Sequence, residues 1–171
     1  FGPIDGMVNC AGSLLLKPAH ITTEAEWQAT IDANLTTAFV CLRAAVRNMP
    51  TGGAIVLVSS AAGRTGLAHH EAIAAAKAGI MGLTLSAAAT YAPRNIRVNC
   101  IAPGLVDSPM TARIIANEAS LKASTAMHAL GRVGKPEDVA AMMDFLLDPT
   151  NAWITGQTIG VDGGLGSLRS R

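Results

Sequence analysis

Apolar and polar positions divide the chain into alternating short and long segments. Ile4–Asn9 is a short apolar run closed by Gly12 and predicts a strand. Thr23-Glu-Ala-Glu26 has the form of a capping box, in which Thr and Glu satisfy each other's backbone donors at a helix start. Trp27, Ile31, Leu35, Ala38, Phe39, Leu42 and Val46 then recur at helical spacing. One helix is therefore predicted to about Met49, where Pro50-Thr-Gly-Gly53 stops it. Ala54–Val58 is continuously apolar and bounded by glycines and serines, as in a strand buried on both faces. Ala61–Glu71, with Gly63 and Gly66, reads as a loop. Ala72–Tyr91 predicts a long helix ended by Pro93, which disfavours helical geometry in the residue before it. Ile96–Ile101 is the next strand, broken by Ala102-Pro-Gly104. Leu105–Leu130 is a mixed stretch with one or two helices. Pro136 suits a first helical position, with Glu137 and Asp138 in the first turn where the dipole favours anions, and this helix runs to about Leu147. Thr158–Asp162 is the last strand, followed by a tail.

Strands alternating with helices predict an α/β fold: a Rossmann-like, doubly wound parallel sheet with right-handed crossovers and helices on both faces. No repeat or linker divides the 171 residues, so a single domain is expected over 1–171. An apolar content of 50% excludes disorder. Thirteen Lys and Arg stand against 12 Asp and Glu with no basic run, so nucleic-acid binding has no electrostatic support. Arg43, Lys77 and Asp144 interrupt the greasy segments before any reaches the roughly 18–20 residues of a membrane span. Cys10, Cys41 and Cys100 have neither disulfide nor metal spacing and read as three reduced, buried thiols of a cytoplasmic protein, with no metal site. The chain has no starting Met or secretory signal and opens almost at once on a strand, which predicts a start inside a larger protein.

A doubly wound fold places ligands at the carboxyl ends of its strands. Those ends are Asn9-Cys-Ala-Gly12, Ser59-Ser60, Asn99-Cys-Ile-Ala-Pro-Gly104 and Asp162-Gly-Gly164. Each alone is an ordinary strand-to-loop turn. Together they carry a resemblance to the short-chain dehydrogenases/reductases. Val8–Gly12 resembles that family's N-N-A-G turn, Asn34 its catalytic-helix asparagine, and Ile55–Ser60 its strand ending in the catalytic serine. Arg97–Gly104 resembles its R-V-N-x-I-x-P-G turn. Gly131–Asp138 and Ile154–Gly164 resemble its C-terminal signatures.

The resemblance implies an oxidoreductase that moves a hydride between NAD or NADP and a small carbonyl or alcohol substrate, as a homodimer or homotetramer. It implies catalytic roles for Asn34, Ser60 and Lys77, and cofactor contacts from Asn9, Ala11, Gly12, Lys77, Pro103, Gly104, Val106 and Ser108. Two departures stand beside it. The family's G-x-x-x-G-x-G phosphate loop is absent with nothing in its place, so the likeness is to the C-terminal two-thirds and the sheet is expected to be incomplete on its N-terminal side. In the family's Y-x-x-x-K pair, Lys77 fits the lysine, but the tyrosine position is Ile73, thirteen residues after Ser60 as expected. A phenol of pKa about 10 must exchange the carbonyl proton, helped by the neighbouring ammonium, and isoleucine does neither. Tyr91 lies fourteen residues past Lys77, roughly 20 Å along a helix. His69, His70 and Glu71 stand just upstream. His70 is two helical turns before Lys77 and is the candidate replacement acid. Without the tyrosine a second reading stays open, a catalytically silent relative that binds a nucleotide or a partner. A purely structural subunit is the third.

Overall fold

The computed structural model describes residues 2–168. Its element order is β1 (Gly6–Asn9), α1 (Glu24–Ile31), α2 (Thr37–Arg47), β2 (Gly53–Val58), α3 (Glu71–Tyr91), β3 (Ile96–Pro103), α4 (Ala112–Ile115), α5 (Glu118–Met127), α6 (Pro136–Leu147) and β4 (Thr158–Val161). The four strands form one parallel sheet in the order β1-β2-β3-β4. The expected α/β class and parallel sheet are thus present, and α6 keeps its predicted bounds.

Each central strand divides its side chains between two apolar layers, as period-two alternation requires. Ile55 and Leu57 of β2, with Ile96, Val98 and Cys100 of β3, pack against Ala38, Leu42 and Val46 of α2 and Ile80, Ala87 and Ala88 of α3. Val56 and Ile101 point the other way, to Val139 and Leu146 of α6. Helices therefore cover both faces. All three connections step in the same direction across the sheet, yet α6 lies on the face opposite α2 and α3. The β3–β4 connection consequently has the opposite hand to the other two. Crossovers are right-handed in about 98% of cases, so the expectation of uniformly right-handed connections fails here. The detour through α4 and α5 gives the chain the length to return beneath the sheet.

The single helix predicted to Met49 is interrupted. The capping box is present: Thr23 Oγ1 accepts from the Glu26 amide at 3.2 Å, and the Glu26 carboxylate accepts from the Thr23 amide at 2.9 Å. Between α1 and α2, residues Asp32–Thr36 form a π turn. Apolar spacing does not reveal this, because a one-residue bulge leaves the stripe nearly intact on either side. Trp27 and Phe39, two of the apolar residues at helical spacing, are exposed at 44% and 47%.

Other corrections are smaller. Ile4 precedes β1, although the Asp5 carbonyl accepts from the Ala54 amide. The loop after β2 begins with a 3-10 turn, Ala61–Gly63. β3 runs two residues further than predicted, to Pro103, and β4 stops one residue earlier, at Val161. Of the cysteines only Cys100 is buried. Cys41 is half-buried and Cys10, just past the end of β1, is exposed. The segment Glu71–Arg94 is long and apolar enough to cross a membrane, contrary to the sequence reading. Here it is the central helix of a packed layer, with Ile73, Ala76, Ile80, Thr84 and Ala87 buried along it.

Candidate active site

Three strand ends and two helices converge on one corner. Asn9 is buried at the end of β1, and its Oδ1 accepts from the Ala11 amide at 3.1 Å, which turns the chain sharply into Gly12. Gly12 sits against Asn34 and Lys77: a Cβ on it would lie 2.8 Å from Asn34 Oδ1 and 3.5 Å from Lys77 Nζ. Asn34 is fully buried within the π turn. Its Nδ2 donates to the Thr30 carbonyl at 2.9 Å and to Ser13 Oγ at 3.1 Å, while its Oδ1 accepts from the Ser13 amide at 3.2 Å. The side chain thus both bends its own helix and clamps the loop after β1.

Lys77 is buried in α3 and donates one hydrogen bond, to the Val58 carbonyl at 3.1 Å. Burial holds its pKa below the ordinary 10.5, with the Cys100 and Cys10 thiols pulling the other way. Although Cys10 is exposed as a residue, partial desolvation of its thiol raises its pKa, against the opposing pull of Lys77. The two serines after β2 divide their work. Ser59 is buried and donates to the Lys77 carbonyl at 2.7 Å, tying β2 to α3. Ser60 accepts from the Ala62 amide at 3.1 Å and donates its own proton to no acceptor among the described residues. The turn that follows packs closely on α3: a Cβ on Gly63 would lie 2.9 Å from the Ala78 nitrogen.

Ile73 is buried, at 2% exposure, one turn before Lys77. His70 is half-buried at the start of α3, on the same helix face as Ile73 and Lys77 by its i, i+3, i+7 spacing. Its Nδ1 lies 2.7 Å from the Ala68 carbonyl. A carbonyl only accepts, so Nδ1 carries the hydrogen and Nε2 is the free lone pair in the neutral ring. His69 and Glu71 are exposed, and His69 has the left-handed backbone of φ 64°. Tyr91 packs at the far end of α3, with the Arg94 guanidinium 5.9 Å from its ring centroid.

Pro103 and Gly104 end β3. Val106 forms an isolated bridge with Gly134, and Ser108 is bound to Thr111 through its amide and hydroxyl, at 3.1 Å each. A cavity of about 420 Å³ opens beyond the ends of β3 and β4, lined among others by Gly104, Leu105, His128, Leu130 and Asp162. His128, which the sequence reading passed over, is buried in its wall.

The letters G-x-x-x-G-x-G occur once, at Gly160–Gly166, on the C-terminal side of the sheet. The stretch is not a phosphate loop. Its Gly164 and Gly166 amides are spent on the Asp162 carboxylate, at 2.9 and 3.0 Å, and no helix follows among the described residues.

Comparison with known proteins places the chain in a family. The family model described as enoyl-(acyl carrier protein) reductase matches residues 1–166. The chain is 40% identical over 167 residues to cis-4-hydroxycyclohexanecarboxylate dehydrogenase of Sinomonas cyclohexanicum, covering 96% of this chain and 66% of that protein. It is 40% identical over 171 residues to the 3-oxoacyl-[acyl-carrier-protein] reductase FabG of Thermotoga maritima, covering 96% and 67%. The solved structure of ElxO with NADP bound superposes with a TM-score of 0.89 at 30% identity, covering 96% of this chain and 68% of that one. The chain therefore spans about two thirds of the length of the curated relatives it matches. Sequence motifs, sheet and relatives together make it a member of the short-chain dehydrogenase/reductase family.

Proposed function

We propose that this chain carries the substrate and nicotinamide side of an NAD- or NADP-dependent oxidoreductase acting on a small carbonyl or alcohol. The observation that supports this most is the meeting of Gly12, Asn34 and Lys77 beside the end of β2. The names of the relatives, dehydrogenases and reductases, give the silent alternative no support. The donor set fits half of the cofactor. Lys77 spends one of three ammonium hydrogens on Val58, which leaves two for a ribose. The pyrophosphate half has no comparable cradle among the described residues, since the one glycine string is filled by Asp162.

A bound nicotinamide would give or take the hydride. Ser60, with a free proton, holds the substrate oxygen. Asn34 fixes the loop after β1 and the lysine's surroundings, and Asn9, Ala11 and Gly12 form the floor of the nicotinamide side. Pro103, Gly104, Val106 and Ser108 line the opposite side. Ile73 excludes water and moves no proton. His70, with Nε2 unoccupied, takes the alcohol proton in oxidation and returns it in reduction. A lone histidine in place of a tyrosine–lysine pair supports only slow turnover, because a well-positioned general acid contributes about 10²–10⁴-fold.

The reading extends to assembly and compartment. Phe39 and Val40 of α2 and Leu85 of α3 are exposed at 44–59% and suit packing against a second copy, as a homodimer or homotetramer. Three free thiols suit the reducing cytoplasm.

The test is calorimetric titration with NADH and with nicotinamide mononucleotide in its reduced form. Similar weak affinities are expected, both lost in Lys77→Met. Binding of NADH at least a hundredfold tighter than the mononucleotide, or indifference to Lys77→Met, overturns the reading.

A further inference from the structure

His128 is the C-cap of α5 and is 3% exposed. Both ring nitrogens are used. Nδ1 lies 2.7 Å from the Ser124 carbonyl, and Nε2 lies 3.1 Å from the Leu105 amide. The carbonyl must accept and the amide must donate, so the ring is neutral, with its hydrogen on Nδ1 and a bare Nε2. One side chain therefore joins the turn after β3 to the end of α5, across 23 residues of sequence.

The surroundings are shaped for this ring. A Cβ on Gly104 would lie 2.6 Å from Nε2, so only glycine lets the imidazole reach the turn. Gly163 meets the ring at Cδ2, where a Cβ would lie at 3.5 Å. The His128 carbonyl accepts from the Gly131 amide at 2.8 Å, and Leu130 donates to Gly163 at 3.1 Å, so the same residues fasten to the tail after β4.

We propose that His128 is a positioning residue: its neutral imidazole clasps the Gly104–Leu105 turn to α5, and proton uptake at Nε2 opens the clasp and loosens the α4–α5 segment over the site. A second proton would turn the acceptor into a donor pointing at another donor. The charged groups on the neighbouring elements each have partners of their own. On the tail, the Asp162 carboxylate is occupied by Gly164 and Gly166. At the start of α6, Asp138 is paired with Arg132 at 2.7 Å. On α5 itself, Glu118 and Lys122 are exposed, and the β3 turn has no charged side chain at Gly104 or Leu105. The proposal rests on the reading above only in assigning this turn to the substrate and nicotinamide side. The clasp is measurable without cofactor, so its failure is distinct from failure of that reading.

The experiment is nuclear magnetic resonance of the chain between pH 7.5 and 5. At pH 7.5 the nitrogen shifts of His128 should show a protonated Nδ1 and a bare Nε2. The protection factor of the Leu105 amide should fall about tenfold as pH is lowered, the loss expected for one hydrogen bond. His128→Gln, which can still accept from Leu105 but cannot take up a proton, should keep the protection and remove its pH dependence. His128→Phe should have the low value throughout. A proton on Nε2 at pH 7.5, or the same pH dependence in His128→Gln as in the parent, overturns the proposal, and neither result requires that His128→Phe fold.

Discussion

Gly12→Ala tests the geometry of the corner most directly. Gly12 has no unusual backbone angle among those of positive φ, so the substitution acts through space rather than strain. The new methyl would stand 2.8 Å from Asn34 Oδ1, closer than real carbon contacts, and Asn34 is fully buried with its amide group already bound on both sides. It can yield only by giving up its two contacts with Ser13, at 3.1 and 3.2 Å. Two hydrogen bonds at about 0.5–1.5 kcal/mol each put the cost at about 1–3 kcal/mol. For a chain of this size that is a loss of roughly 2–12 °C in Tm, at about 2–4 °C per kcal/mol. Urea unfolding of Gly12→Ala beside Gly66→Ala isolates the effect, because a Cβ at Gly66 meets nothing within 4 Å. Combined with Asn34→Ala, the Gly12→Ala penalty should shrink, since the atom it strikes is gone. If Gly12→Ala costs no more than Gly66→Ala, the close approach of the β1 loop to the π turn is wrong.

Four further outcomes follow from the same structure. Ile73→Tyr should raise turnover by at least tenfold in an assay of carbonyl reduction with added cofactor, at a cost of about 1–3 kcal/mol for overpacking a buried site. In the parent, His70→Ala should abolish the residual activity, and unchanged activity would remove His70 from the mechanism. Lys77 releases its proton below 10.5 in the folded chain, so the unfolded chain binds more protons there and stability should climb as pH rises toward 10.5. Denaturation midpoints from pH 7 to 10 should show this slope in the parent and not in Lys77→Met. Glu26 is held down to about 2 by Lys17, then by the Thr23 amide, so its contribution is present above 4.5 and is lost as pH falls toward 2. Lys17→Met should flatten that limb of the acid unfolding curve.

The binary pattern alone determined the elements whose information is local. Pro136, Glu137 and Asp138 mark the start of α6 because each suits a first helical turn, and the structure keeps the predicted bounds. The apolar run of β2 marked a strand covered on both faces, because it is short, rich in Ile and Val and bounded by glycines and serines, and Ala54–Leu57 are all buried. The polar and glycine-rich strand ends marked the edge of the sheet that holds the corner of Asn9, Gly12, Ser60 and Lys77.

Tertiary structure decided what depends on neighbours distant in sequence. The π turn forms where Asn34 bonds Thr30 and the loop at Ser13, twenty-one residues away, and apolar spacing does not encode that partner. Which serine is free was settled by Ser59 reaching the carbonyl of Lys77 on the neighbouring helix. The face chosen by α6, and with it the hand of the last connection, depends on where Val139 and Leu146 find Val56 and Ile101. His128 looked like any histidine in a mixed segment until the β3 turn supplied the Leu105 amide. Periodicity records which side of an element is apolar; hydrogen bonds between loops exist only once the chain has brought both partners to the same place.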